Sequence, residues 1–144
     1  MTIRLEHANI CVRNIDDTIR FLQTAFPEFR IRGEGVNPES GLRWLHLGND
    51  DTYIGLNQAK PGATSKWSPY AGEPGTNHLA YVVDDVETVR SRLVAAGYRI
   101  SGIVNGHPHR KRVYFYDSEE NDWEFVQYLS QDPAKRNDYA LPEA

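Results

Sequence analysis

The sequence carries the same pattern twice, and this internal repeat is the feature that most limits how the chain can fold. Two blocks of the first half align without gaps to blocks of the second half, at offsets of 71 and 69 residues. The aligned pairs are His7 with His78 and Asn14 with Asp85 (78−7 and 85−14, both 71), then Arg43 with Arg112 and Gln58 with Gln127 (112−43 and 127−58, both 69). A fixed period of this kind indicates a duplicated structural unit.

Hydrophobic periodicity predicts the same order of elements in each half: strand, helix, strand, strand, strand. The alternation from Leu5 to Val12 indicates a strand, and apolar residues spaced by three and four after Asn14 indicate an amphipathic helix. In the second half a strand over 77–83 precedes a helix capped at Asp85. The other predicted strands are 29–32, 43–48 and 52–58, then 99–104 and the two arms of a hairpin over 112–128. We therefore predict an α+β fold of two tandem βαβββ units forming a curved mixed sheet around a cleft.

Turn-forming residues divide the chain, which has the length of one ordinary domain. The stretch 60–75 is rich in Pro, Gly, Ser and Ala, as is typical of a linker, and Trp67 and Tyr70 within it predict a loop that packs. The stretch 33–41 contains the turn signal Asn37-Pro38 and is predicted to be a loop. The predicted segments are unit one 3–59, the linker 60–75, unit two 76–128 and a C-terminal arm 129–144.

Composition excludes several classes of protein. Cys11 is the single cysteine, so neither a disulfide framework nor a cysteine-based zinc site is expected within one chain. The N-terminal residues lack the apolar run of a signal peptide, and no apolar run approaches membrane-spanning length. A net charge of −4 argues against general nucleic-acid binding. We expect a cytoplasmic protein with no nucleic-acid or membrane partner.

A carboxylate in the middle of an apolar strand is the main chemical signal. Glu124 lies between Trp123 and Phe125 and needs a partner, which is water, a base or a metal ion. A solvent-facing Glu on a two-faced sheet is the simpler interpretation for one isolated residue. The repeat favours the metal, because His7 and His78 occupy the same place on the first strand of each half. Two imidazoles and one carboxylate form a facial triad suited to non-haem Fe2+, with Mn2+, Zn2+, Ni2+ and Co2+ as alternatives.

A duplicated βαβββ unit with His on its first strand and Glu on its last resembles the vicinal oxygen chelate superfamily. That superfamily includes glyoxalase I, bleomycin-resistance proteins, fosfomycin-resistance enzymes and type I extradiol dioxygenases, and the resemblance covers residues 5–128. It implies that His7, His78 and Glu124 are metal ligands. Gly55, the counterpart of Glu124 (124−69), stands at the fourth ligand position and cannot ligate. Because glyoxalase I keeps a Glu there, the three-ligand set is more similar to the extradiol pattern.

The hairpin also resembles the extradiol signature, in which a His, a hydrophobic-Tyr pair and an acidic turn precede the ligand Glu. Here these positions hold His107, Val113-Tyr114 and Asp117. The resemblance implies that His107 and Tyr114 lie beside the metal as catalytic residues, although core packing is an equal alternative for Tyr114. The predicted substrate-binding residues are Arg112, His109, Asn57 and Trp44.

Two functions from different classes remain open at this stage. The first is a divalent-metal-dependent enzyme of the dioxygenase or glyoxalase I-like lyase type, acting on a small substrate with neighbouring oxygens. The second is a metal-free binding protein of the bleomycin-resistance type, whose tryptophans would stack on a flat ligand. We expect a homodimer, because short sheets leave edges to cover. The sequence does not decide whether the cleft forms within one chain or between two chains that exchange halves.

Overall fold

The computed structural model describes residues 1–64 and 70–143, and the chain divides into two compact units, Met1–Ser65 and Lys66–Ala144. The first unit contains β1 (His7–Val12), α1 (Ile15–Ala25), β2 (Arg30–Val36), β3 (Arg43–Gly48) and β4 (Tyr53–Gln58). Its strands form a four-stranded sheet in the order β1-β4-β3-β2. Strand β1 pairs with β4 in parallel and the other pairs are antiparallel, so the sheet is mixed.

The second unit repeats this topology strand for strand. It contains β5 (His78–Val82), α2 (Val86–Ala95), β6 (Arg99–Val104), β7 (Arg110–Tyr116), β8 (Asp122–Tyr128) and the short helix α3 (Pro133–Arg136). The sheet order is β5-β8-β7-β6, with β5 and β8 parallel and the remaining pairs antiparallel. The structure therefore confirms the predicted α+β class and the duplicated βαβββ unit.

Each helix begins at the cap that the repeat aligned. The side chain of Asn14 accepts hydrogen bonds from the amides of Asp16 and Asp17 at the start of α1, and Asp85 accepts from Glu87 at the start of α2. Gly97 follows α2 with a φ of +87°, a conformation that glycine adopts without strain. The caps explain where both helices begin, and Gly97 explains where α2 ends.

Each sheet buries one face against its own helix. In the first unit the apolar side chains buried on β3 and β4 stand at alternate positions, and they are Leu45, Leu47, Ile54 and Leu56. In the second unit the apolar side chains of β7 and β8 that are buried on the helix side are Val113, Phe115, Trp123 and Phe125. Because successive side chains of a strand point to opposite faces, Tyr114 and Glu124 share the face away from helix α2.

One predicted loop is wrong. Residues 33–36 belong to β2, which runs to Val36 after a bulge between Ile31 and Gly33. The glycines here give the Trp44 ring room to pack, since a Cβ added at Gly35 would lie 3.0 Å from the indole Nε1. The turn signal Asn37-Pro38 predicts a loop over 33–41, whereas tertiary packing keeps Gly33 and Gly35 in a strand. No helix in the described part of the chain has the length and apolar character needed to cross a membrane.

Candidate metal centre

His78 and Glu124 meet on neighbouring strands of the second unit. In the parallel pairing of β5 with β8, Glu124 lies opposite Ala80, two residues along β5 from His78. Nε2 of His78 is 3.0 Å from Oε2 of Glu124, and the Glu124 side chain is only 10% exposed. The two strands thus bring an imidazole nitrogen and a carboxylate oxygen to one point.

The other ring nitrogen of His78 indicates what this point can hold. Nδ1 lies 2.8 Å from Oδ1 of Asn77, a contact that requires a proton on Nδ1. In the neutral ring the lone pair of Nε2 then faces Glu124, and two acceptors at this distance repel unless a proton or a cation lies between them. An imidazole and a carboxylate arranged in this way are suitable ligands for a divalent cation.

Tyr114 and Arg112 surround the same carboxylate from β7. Tyr114 is the direct cross-strand neighbour of Glu124, and its ring stands edge-on to His78 with centroids 5.7 Å apart. Burial, together with the charge of Glu124 and a hydrogen bond to it, raises the pKa of Tyr114 to about 12. Tyr114 is therefore a neutral hydrogen-bond donor at physiological pH. Nη1 of Arg112 lies 3.8 Å from Oε1 of Glu124.

A second buried carboxylate, Asp122, lies on the same strand face and was missed at the sequence level. It accepts a hydrogen bond of 2.6 Å from the hydroxyl of Ser101 and another from the hydroxyl of Tyr70. The Tyr70 ring stacks over His78 with centroids 6.4 Å apart, and Tyr70 has a φ of +66°. Burial and the bond to Asp122 raise the pKa of Tyr70 above its usual value. The period-2 pattern that puts Asp122 beside Glu124 is the signal that could have identified it.

In the first unit, His7 belongs to an aromatic layer. Its ring stacks on Tyr53 with centroids 4.5 Å apart, and Nδ1 lies 2.9 Å from a carboxylate oxygen of Glu6. His46 stacks on Tyr53 as well, at 4.6 Å, and Trp44 packs against His46 at 5.2 Å. Ring contacts of this kind are what the tryptophan-based binding hypothesis requires, and the substrate contact of Trp44 stays a prediction.

Asn9 occupies the space at the position that would hold a fourth ligand. Asn9 and Gly55 are direct neighbours in the β1–β4 pairing, as Ala80 and Glu124 are in the second unit. A Cβ added at Gly55 would lie 2.6 Å from Nδ2 of Asn9, whose Oδ1 accepts a hydrogen bond from Asn57. In the first unit the larger residue of the pair, Asn9, lies on the first strand and the glycine on the last. In the second unit the smaller residue, Ala80, lies on the first strand and Glu124 on the last. Asn57 donates to Asn9 in this structure, and its role in substrate binding stays a prediction.

The contacts of His107 are with the backbone. Its ring is buried, Nδ1 accepts from the amide of His109 at 3.0 Å, and Nε2 lies 2.9 Å from the carbonyl oxygen of Asp138. Both nitrogens therefore hold the loop and the C-terminal residues in place, and a catalytic role for His107 stays a prediction. His109 packs edge-on against His107 at 5.9 Å.

Within the described residues of each unit taken separately, no group of three or more His, Cys, Asp or Glu side chains is arranged to hold a metal ion. The structure brings together His78, Glu124, Tyr114 and Arg112 among the predicted site residues. Trp67, which the sequence suggested as part of a packed loop, lies outside the described residues.

Comparison with known proteins identifies related folds. The family model described as the Glyoxalase/Bleomycin resistance protein/Dioxygenase superfamily matches residues 4–125. A glyoxylase/bleomycin resistance protein/dioxygenase domain from Frankia sp. EAN1pec has 18% identity and a TM-score of 0.74, over 92% of this chain and 97% of that one. No curated protein sequence matches the chain.

Two fosfomycin resistance proteins named FosX share the fold. The one from Mesorhizobium loti has 20% identity and a TM-score of 0.62, over 91% of this chain and 94% of that one. A mutant form of FosX from Listeria monocytogenes, solved with Mn(II) and 1S,2S-dihydroxypropylphosphonic acid, has 18% identity and a TM-score of 0.66. That match covers 91% of this chain and 95% of the other. At these identities the similarity concerns the fold.

Proposed function

The chain belongs to the Glyoxalase/Bleomycin resistance protein/Dioxygenase superfamily, and from this premise we propose that it is a divalent-metal-dependent enzyme. Its substrate would be a small molecule with two neighbouring oxygens. The contact of 3.0 Å between His78 and Glu124 is the observation that supports this proposal most directly. It supplies two adjacent ligands on rigid strands, with the donor types that first-row divalent metals take.

The proposed ligands are His78, Glu124 and His7. His7 is included because the repeat gives it the position of His78, and it would come either from the same chain or from a second copy in a homodimer. Fe2+ is our first choice, and Mn2+ is supported by the Mn(II) present in the structure of Listeria FosX. When bound, such an ion supplies Lewis-acid chemistry, which stabilises negative charge on a substrate oxygen.

The other residues of the site have roles that their contacts support. The protonated hydroxyl of Tyr114 would donate a hydrogen bond to a substrate oxygen on which negative charge develops. Arg112 would bind an anionic group of the substrate, because its guanidinium lies at the edge of the Glu124 carboxylate. The contact between Asn77 and His78 would keep Nε2 directed at the metal.

A metal-free binding function is the second candidate, and the aromatic layer of the first unit favours it. Trp44, His46, Tyr53 and His7 form a connected series of ring contacts, and rings of this kind stack on flat ligands. A binding protein of this type has no requirement for the pair formed by His78 and Glu124.

Metal analysis of protein purified without chelator separates the two candidates. The enzyme proposal expects about one Fe or Mn per site, together with turnover of one member of a panel of catechols and thiol adducts of 2-oxoaldehydes. Oxygen uptake would identify a dioxygenase, and turnover without oxygen uptake would identify a lyase. Protein that takes up no divalent metal and still binds an aromatic ligand belongs to the second class.

The raised pKa of Tyr114 leads to a prediction at alkaline pH. Ionisation of Tyr114 should have a midpoint near pH 12 rather than 10, because the native environment disfavours the phenolate. A group whose folded-state pKa is raised contributes stability below pH 10, and this contribution is lost as pH rises through about 12. The measurement is a pH titration of phenolate absorbance, in which the curve of Tyr114→Phe is subtracted from the curve of the wild type. The control is the same subtraction with Tyr139→Phe, a variant that lacks an exposed ring. A Tyr114 difference with a midpoint near 10 would contradict the assignment.

Because Asn9 occupies the space beside Gly55, we predict that a fourth ligand at position 55 requires substitution of both residues. Gly55→Glu alone should lower the free energy of unfolding by about 1 kcal/mol, because Asn9 must turn away and lose its bond to Asn57. Adding Asn9→Ala should relieve the crowding without restoring the bond to Asn57, so the loss of stability should remain. The double variant copies the Ala80–Glu124 pair and should bind Mn(II) about tenfold more tightly than the wild type. Chemical denaturation and metal titration check the two parts. Equal metal affinity in the double variant and the wild type would exclude position 55 from the site.

A further inference from the structure

Two arginines of β7, Arg110 and Arg112, both bind the carboxylate of Glu143. Nη2 of Arg110 donates to Oε1 of Glu143, and Nη2 of Arg112 donates to Oε2 of the same side chain. The Arg110 side chain is only 5% exposed and that of Arg112 is 20% exposed. Two guanidinium groups that each hold one oxygen of an anion have the geometry with which arginines bind carboxylates and phosphonates.

The C-terminal residues build this site around Arg110. The amide of Gly106 donates to the carbonyl oxygen of Glu143 at 2.9 Å, and Nη1 of Arg110 donates to the carbonyl oxygen of Arg136 at 3.1 Å. The ring of Tyr139 lies 4.8 Å from the Arg110 guanidinium. These contacts fix the guanidinium in a buried position, where its charge requires an anion.

The carboxylate of Glu143 does not accept from every N–H group of Arg110 and Arg112. The Nε atoms of Arg110 and Arg112 are both buried, and within residues 1–64 and 70–143 neither has a hydrogen-bond partner. Buried donors without an acceptor are costly, so the site offers more donors than one carboxylate satisfies. An anion with three oxygens, such as a phosphonate, has one oxygen more than Glu143 to offer.

Arg112 connects this anion site to the candidate metal centre. Its Nη2 holds Glu143 while its Nη1 lies 3.8 Å from Oε1 of Glu124. An anion in place of Glu143 would therefore be separated from the proposed metal ligand by a single guanidinium group. This spacing suits a small molecule whose oxygens meet the metal while its charged end binds the arginines.

We propose that Arg110 and Arg112 bind the oxyanion group of the substrate, a carboxylate or a phosphonate, and that Glu143 occupies this site until the substrate displaces it. The assignment to a substrate rests on the proposed function, whereas the anion site itself rests on the contacts of Glu143. Exchange of one oxyanion for another keeps the buried guanidinium charges neutralised, so displacement does not leave an unpaired charge.

The test is anion binding by full-length Glu143→Gln, measured calorimetrically in chelator-treated protein with sodium acetate and with methylphosphonate. Loss of the internal carboxylate should tighten binding of at least one probe by about tenfold relative to wild type. Glu39→Gln removes the same charge from an exposed loop of the first unit and should bind as the wild type does. The probe with the larger gain identifies carboxylate or phosphonate as the preferred group.

Two further variants keep the result interpretable. Arg112→Gln in the Glu143→Gln background should abolish the gain, and Glu143→Asp, which keeps the charge, should bind the probes no more tightly than wild type. Folding of each variant is verified by its melting temperature, which the favoured anion should raise more in Glu143→Gln than in wild type. Folded Glu143→Gln with the anion affinity of wild type would overturn the proposal. Because the assay contains no metal, this outcome is independent of whether the metal proposal fails.

Discussion

Glu124→Gln is expected to lower divalent-metal affinity by about 100-fold or more and to abolish metal-dependent turnover. The substitution keeps the shape of the side chain and removes the charge that a cation requires. Glu124 is buried and faces both Nε2 of His78 and Nη1 of Arg112, whereas the neighbouring carboxylate of Asp122 is bound by Ser101 and Tyr70. Metal titration of the chelator-treated variant measures the affinity, and turnover is measured at saturating metal.

The control for Glu124→Gln is Glu87→Gln, which removes the same charge from an exposed ion pair with Arg90 on helix α2. It should leave metal affinity and turnover unchanged, because surface pairs of this kind contribute little. A purely structural role for Glu124 would lower the stability of the variant and leave its metal affinity intact. That pattern, with stoichiometric metal bound as tightly as in the wild type, would refute the proposed centre.

The fold could be predicted from the sequence because the information is local and occurs twice. Alternation along Leu5 to Val12, the caps at Asn14 and Asp85 and the stop at Gly97 each act within a few residues. Strand β3 has the predicted bounds for the same reason. Strand β2 differs because Gly33 and Gly35 are held in the sheet by the ring of Trp44, a contact that the local pattern does not encode.

Some contacts of the candidate site could be predicted from the sequence and others could not, for the same reason. The meeting of His78 with Glu124 follows from the repeat and from side-chain alternation, which place both residues on one face of adjacent strands. The bonds of Asp122 to Ser101 and Tyr70 depend on strand register and on the path of a loop. The hydrogen bonds of Arg110 and Arg112 to Glu143 depend on where the C-terminal residues pack against the sheet. Neither register nor return path has a periodic signal in the sequence.

Asp117→Ala is expected to lower the free energy of unfolding by about 3 kcal/mol, the largest loss that we predict for a polar substitution in this chain. The Asp117 carboxylate is buried at the end of β7 and accepts four hydrogen bonds within the turn that leads to β8. The donors are the indole Nε1 of Trp123 at 3.0 Å, the side chain of Asn121 at 3.1 Å, and the amides of Glu119 at 2.8 Å and Asn121 at 3.0 Å. Removal of the carboxylate breaks the bond between the buried indole and Asp117 together with the three bonds within the turn.

The comparison with Trp123→Phe shows whether the indole bond is the cause. Trp123 is 1% exposed, so Phe keeps an apolar ring in the core and removes only the donor and some volume. Both single substitutions break the same bond between the indole and the carboxylate, so the combined loss should be smaller than the sum of the single losses by about 1 kcal/mol. Chemical denaturation of the four proteins measures this coupling, and additive losses would place the effect in the turn amides instead. Because Trp123 precedes Glu124 on β8, the same turn fixes the strand that presents the proposed metal ligand, and Asp117→Ala should weaken metal binding together with stability.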